Sequence, residues 1–111
     1  MDTLNQYRAA IERILAEAAH TFNADPDIEH KTIFDRHADS YAVIAEGWHK
    51  ARRIHHLVVH LEIINNKVWV QADNTDLALT DELVRAGIPK SAIVLGFHPP
   101  TVRPHTEYAV A

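Results

Sequence analysis

The stretch RRIHHLVVHLEIINNKVWVQAD, residues 52–73, constrains the fold more than any other part of the chain. β-branched and aromatic residues dominate both sides of an Asn65-Asn66 pair, with apolar and polar residues alternating from Val59 to Ile63. Period two is the signature of a strand with one buried face. Asparagine tolerates the positive φ that a two-residue type I′ turn demands. Two strands, Ile54 to Ile64 and Lys67 to Gln71, joined as a hairpin, are therefore expected. Strict alternation puts Leu57, Val59, Leu61 and Ile63 on one face, with Arg53 and His55 continuing it. His56, Val58, His60, Glu62 and Ile64 then share the other.

The same stretch raises a chemical question, because the chain carries nine histidines. His60 and Glu62 are neighbours on one strand face, roughly 7 Å apart, and zinc accepts both ligand types. A histidine-based, metal-dependent hydrolase is one class of reading. Yet His56 and His60, four residues apart on a strand, are too distant to share an ion without a bend. No further ligand is specified by the sequence. Solvated or hydrogen-bonded strand histidines explain the pattern more simply, so no metal ligand, cofactor or catalytic residue is assigned.

Elsewhere the pattern switches period. Leu4, Tyr7, Ile11, Ile14, Leu15 and Ala18 recur at spacings of three and four, which predicts an amphipathic helix from Thr3 to about His20. Thr3 and Gln6 have capping-box spacing. The breakers Asn23 to Asp27 close that helix, and two strand-like runs follow, Ile28 to Phe34 and Tyr41 to Trp48. A second helix is expected between Thr75 and Ala86, stopped by Gly87 and Pro89. Ile93 to Phe97 reads as a short buried strand or turn. The tail from His98 to His105 holds three prolines and is expected to be extended. The expectation is one α+β domain over residues 1–111: a helix, a four-stranded antiparallel meander, a second helix, a short strand and an extended tail.

Bulk properties narrow the function classes. A chain of 111 residues without cysteine has no disulfides and no thiolate chemistry. Its start lacks the basic and apolar regions of a signal peptide, and no apolar run approaches the roughly 20 residues of a membrane span. A cytoplasmic location without membrane contact is expected. The net charge of −4 has the wrong sign for a chain that grips phosphate backbones unaided. Charge is uneven, however: residues 49–60 hold Lys50, Arg52, Arg53 and four histidines without an acid. Three glycines form no phosphate loop, and Ser40 and Ser91 sit in no nucleophile elbow.

Taken in order, LNQYRAAIERIL, TIFDRHADSY, EGW, the block just discussed, DELVRAGIPKSAIVLGFHPP and TEYAVA resemble the XisI family, the fdxN element excision controlling factor proteins of cyanobacteria. These pieces span nearly the whole chain. His56 departs from the family pattern, in which a small residue commonly follows the first histidine. The resemblance implies a non-enzymatic accessory factor for programmed excision of a DNA element in differentiating heterocysts. A separate site-specific recombinase would cut and rejoin the DNA, and an XisH-like protein would be the direct partner. Two surfaces are candidate contacts: Lys50, Arg52, Arg53 and His55 at the start of the third strand, and His98, Arg103 and His105 in the tail. The alternative for the tail is that Phe97, Val102 and Tyr108 pack it across its own domain to seal a sheet edge. Direct DNA binding at element borders is the rival reading, and a homo-oligomer is expected if one sheet face lacks a helix.

Overall fold

The computed structural model describes residues 2–111. The first helix, α1, runs Thr3–Phe22, and its buried stripe is Ile11, Ile14, Leu15, Ala18 and Ala19. Its start is capped by the Asp2 carboxylate, which accepts from the Leu4 N–H at 2.9 Å. Asp2 thus takes the role that the Thr3 and Gln6 spacing suggested. Four strands follow: β1 Ile28–Asp35, β2 Ser40–His49, β3 Arg52–Ile64 and β4 Lys67–Asp73. They pair antiparallel in sequence order. Asn65 and Asn66 both adopt positive φ, at 51° and 66°, as the hairpin turn requires.

Two features depart from the expected meander. Ile93–Leu95 is a true strand, β5, and pairs parallel to β4 with Val68 opposite Ile93 and Val70 opposite Leu95. The sheet is therefore five-stranded and mixed, in the order β1-β2-β3-β4-β5. The second helix, α2, makes the crossover a parallel pair needs. It is shorter than expected, Leu79–Arg85. Its first turn is lost because the Asp73 carboxylate accepts from the Thr75 N–H and hydroxyl, at 3.0 and 2.7 Å. That local turn competes with helix. Its end is as expected: Gly87 has φ +103°, and Ile88 and Gly87 donate back to Leu83 and Val84.

The strict alternation expected for β3 fails at one residue. Val43 pairs with Val59, but the next residue of β2, Ile44, pairs with Leu57. Val58 is the extra residue of a β-bulge, and Val58 and Val59 are both buried. Side chains before the bulge are exchanged between faces. Arg53, His55 and Leu57 join His60, Glu62 and Ile64, while Ile54, His56 and Val58 join Val59, Leu61 and Ile63. His56 and His60 therefore lie on opposite faces. Leu57, expected in the core, is 39 % exposed.

α1 and α2 cover only the face of Tyr41, Val43, Val59, Leu61, Val68 and Val70, and the core lies between. An ionic clamp fixes α1 across the sheet. The Arg8 guanidinium donates two hydrogen bonds to Asp39, at 2.8 and 3.1 Å, and the Tyr41 hydroxyl donates a third at 3.0 Å. Hydrogen bonding from Arg8 holds the Asp39 carboxyl below its usual range. Burial, with the Asp39 carboxylate alongside, pushes the Tyr41 phenol up to about 12.

A carboxyl depressed in the folded state stabilises at pH values above its unfolded pKa, and that contribution is lost as pH falls through the folded value. Wild type is expected to melt higher than Asp39→Asn at neutral pH. The difference should shrink below about pH 4, the ordinary range of aspartate, and vanish in stronger acid; thermal melts across pH check this. Gly47 gives a second expectation. A Cβ there would sit 2.1 Å from the Asp27 carbonyl oxygen, whereas one at Gly87 meets nothing within 4 Å. Gly47→Ala should cost about 3 kcal/mol in urea unfolding, the upper end of overpacking. Gly87→Ala should cost only the left-handed strain of about 1 kcal/mol.

Candidate functional site

The basic start of β3 lies at the end of a long β2–β3 hairpin. β4 pairs with β3 only from Val59 to Ile64, so the preceding half of β3 projects past it. Lys50 turns the hairpin with φ 56°, and it and Arg52 are exposed. Arg53 lies opposite Trp48; its guanidinium stands 5.3 Å from the ring centroid and donates to the Gly47 carbonyl at 3.3 Å. Trp48 is 53 % exposed, so this pair forms a surface feature. His55 lies opposite Glu46. Glu46 is ion-paired with Lys31, which also reaches Glu29 at 3.5 Å. The Lys31 hydrogen bond holds the Glu46 carboxyl low, and the charges of Arg53 and His55 add to that. An acid from β2 therefore lies within the end of β3 that reads as purely basic in sequence.

The tail candidates are arranged differently. The segment after β5 is not extended. Val102 and Arg103 donate back to the Pro99 carbonyl, and Arg103–His105 forms a short 3₁₀ turn. Successive turns bring the chain back so that Ala109 donates to the Ile93 carbonyl at 2.8 Å and bridges parallel to Val94. The tail packs on its own domain and closes the outer edge of β5. Arg103 holds it there, with its guanidinium 5.1 Å from the Trp69 ring centroid and bonds to the His98 and Val110 carbonyls at 3.0 and 3.4 Å. His98 is half-buried beside Phe97, with ring centroids 4.5 Å apart, and His105 is exposed. No hydrogen bond or ion pair joins the two candidate groups among the described residues.

The sheet face opposite the helices carries little assembled chemistry. Ser40 Oγ and His60 Nε2 are 2.8 Å apart. Glu62 accepts from Gln71 at 3.1 Å, so its hydrogen bond goes to an amide and not to His60. Among the described residues, no three histidine, aspartate or glutamate side chains converge as a metal site would require. The exposed apolar side chains Ile33, Leu57 and Ile64 share this face with Trp48. Sequence reading missed these residues as a set; the only signal for them was a meander with too few helices to cover both faces. Also among the described residues, no helix is long and apolar enough to cross a membrane.

Two helices over one face of a five-stranded sheet, with the other face covered only at Trp69, by the tail, define a small α+β domain that displays its surface around a hairpin end. The XisI protein family model matches residues 1–110, and the chain belongs to that family. A crystal structure of the fdxN element excision controlling factor XisI from Anabaena variabilis is 39 % identical. The match covers 99 % of this chain and 100 % of that one, with a TM-score of 0.87. A XisI-like protein from the same organism is 34 % identical, over 98 % of this chain and 100 % of that one, with a TM-score of 0.92. No curated protein matches the sequence.

If Arg103 pins the tail, Arg103→Ala should accelerate amide hydrogen exchange at Ala109 on the order of tenfold, through loss of a cation–π contact and two hydrogen bonds. Exchange in the β2–β3 hairpin should not change. Hydrogen-exchange mass spectrometry with peptides from both regions checks this.

Proposed function

We propose that the protein is an accessory factor in the controlled excision of a DNA element, and that it works as a protein-interaction module with an XisH-like protein as its direct partner. The full-length likeness to the fdxN element excision controlling factor carries this reading. The surface chemistry is compatible with it. An exposed Trp48–Arg53 pair, flanked by Lys50 and Arg52, has the aromatic and arginine character that concentrates binding energy at protein interfaces. A site-specific recombinase and DNA would be reached through that partner.

Direct DNA binding fits less well. The net charge is −4, and Lys31, which faces the same side as Arg53, is neutralised by Glu29 and Glu46. Too few free cations remain on that side to release many counterions from a duplex.

Co-expression with an XisH-like protein is expected to give a complex that co-elutes on size exclusion. Trp48→Ala combined with Arg53→Glu should weaken it at least about tenfold, as loss of a hot-spot pair does. The chain alone should not shift element-border DNA at low salt. Absence of a complex would sink the partner assignment, and a salt-sensitive shift by the chain alone would favour direct DNA binding.

A further inference from the structure

β1 is one edge of the sheet, and its outward backbone groups are only half satisfied. In an antiparallel pair, alternate residues turn both N–H and C=O away from their neighbour. On β1 these are the even-numbered residues. The Ile28 N–H donates to the Asp25 carbonyl. The His30 N–H donates to Asn23 Oδ1 at 2.7 Å, and Asn23 Nδ2 donates to the His30 carbonyl at 3.5 Å. The Asn23 side-chain amide thus stands in for one residue of an adjacent strand. Beyond it, the N–H and C=O of Thr32 and Phe34 meet no partner among the described residues. An open groove of about 440 Å³, lined by Ala16, Ala19, His20, Asn23 and Thr32 among others, runs beside this edge. β1 has no proline at its free end and pairs with β2 without a bulge, and the one lysine on it, Lys31, is engaged by Glu29 and Glu46.

We propose that this edge pairs antiparallel with β1 of a second copy of the chain, joining the two sheets into one of ten strands. The free groups select the register. Placing Thr32 opposite Phe34 of the second copy, and Phe34 opposite its Thr32, uses the N–H and C=O of both residues on each chain and leaves the Asn23 cap intact. A shift of two residues either way uses only one of the two positions or displaces the cap. In the selected register the two-fold axis passes through Ile33. That side chain is 53 % exposed in the single chain and would meet its own counterpart at a non-hydrogen-bonded position, where side chains approach most closely. Lys31 falls opposite Asp35 of the second copy on the same face. Its ammonium, already bridging Glu29 and Glu46, has three N–H donors, and the third carboxylate completes them. Hydrogen bonds, apolar contact and charge therefore agree on one register.

The chain has no cysteine, which makes the test clean. Wild type at about 100 µM, a concentration that populates even weak dimers, should have twice the 12.5 kDa chain mass by light scattering. Ile33→Cys should form an inter-chain disulfide on mild oxidation, because paired Cα atoms at such positions lie about 4.5 Å apart. Leu57→Cys, on the same face but distant from the edge, should not. Thr32→Pro removes an outward N–H that the single chain does not use, and Ile33→Lys sets like charges face to face. Each should raise the dimer dissociation constant at least about tenfold while leaving the circular dichroism spectrum unchanged. A monomeric mass at that concentration, equal cross-linking at Leu57→Cys, or a dimer surviving both edge variants would each overturn the proposal. None of these outcomes depends on an XisH-like partner.

Discussion

One unmatched residue in β3 decides which side chains the helices cover. If Val58 had a partner on β2, Leu57 would continue the buried row of Val59, Leu61 and Ile63. The bulge instead buries two consecutive valines and exchanges everything before them. Arg53 and His55 consequently face the bare side, beside Glu46 and Trp48 of the neighbouring strand. A bulge also increases local twist, which suits a place where three strands run on past the end of the fourth. The character of the hairpin end therefore depends on a packing choice made some five residues further along the strand, where the core begins.

With one face covered by helices and the other covered only at Trp69, the molecule's two sheet edges become its main structural problem, and they are solved unequally. The β5 edge is closed from within. The tail folds back, Ala109 bonds to Ile93, and Arg103 anchors the return on Trp69. The β1 edge is closed only over the half that a helix end can reach. Asn23, at the C-cap of α1, supplies one side-chain amide to His30, and the chain supplies nothing to the residues beyond. Unsatisfied strand edges are sticky because each free N–H and C=O is a ready template for another strand. The clamp of Arg8 on Asp39 holds α1 over the opposite end of the same strand pair, so this asymmetry is fixed and not a matter of fraying.

Much of this was legible in the sequence where local chemistry acts alone. The α1 stripe, the Asn65-Asn66 turn and the Gly87 stop each rest on conformational preferences of a few neighbouring residues, and each stands where expected. What failed depends on partners distant in sequence. Alternation cannot reveal a bulge, because Val58 and Val59 are equally apolar and either can be the one buried in register. The shortening of α2 turns on whether Asp73 caps a loop or leads a helix, and β4 decides that. β5 needed a parallel neighbour that periodicity cannot name. The candidate sites suffered in the same way. A run of residues without an acid read as a basic patch, yet Glu46 lies across from His55 and bonds Lys31 of the next strand. For the tail the sequence left a partner contact and packing on its own sheet edge equally open; the second holds, and the stacking of Arg103 on Trp69 could not be read from spacing.

Arg103 spends its planar fork on two carbonyls and an aromatic ring of its own chain, so a partner that used it would first have to lift the tail from β5. Arg53 is held against Trp48 but keeps its outer side in solvent, and Lys50 and Arg52 make no ion pair among the described residues. Binding at the hairpin end therefore needs no rearrangement, whereas binding at the tail would undo the closure of a sheet edge. Since ordering and reordering costs are subtracted directly from affinity, a rigid partner is better served by the hairpin end and the bare face next to it. The β1 edge, set across the sheet from the tail, is left free for a contact of a different kind, led by the backbone groups of Thr32 and Phe34.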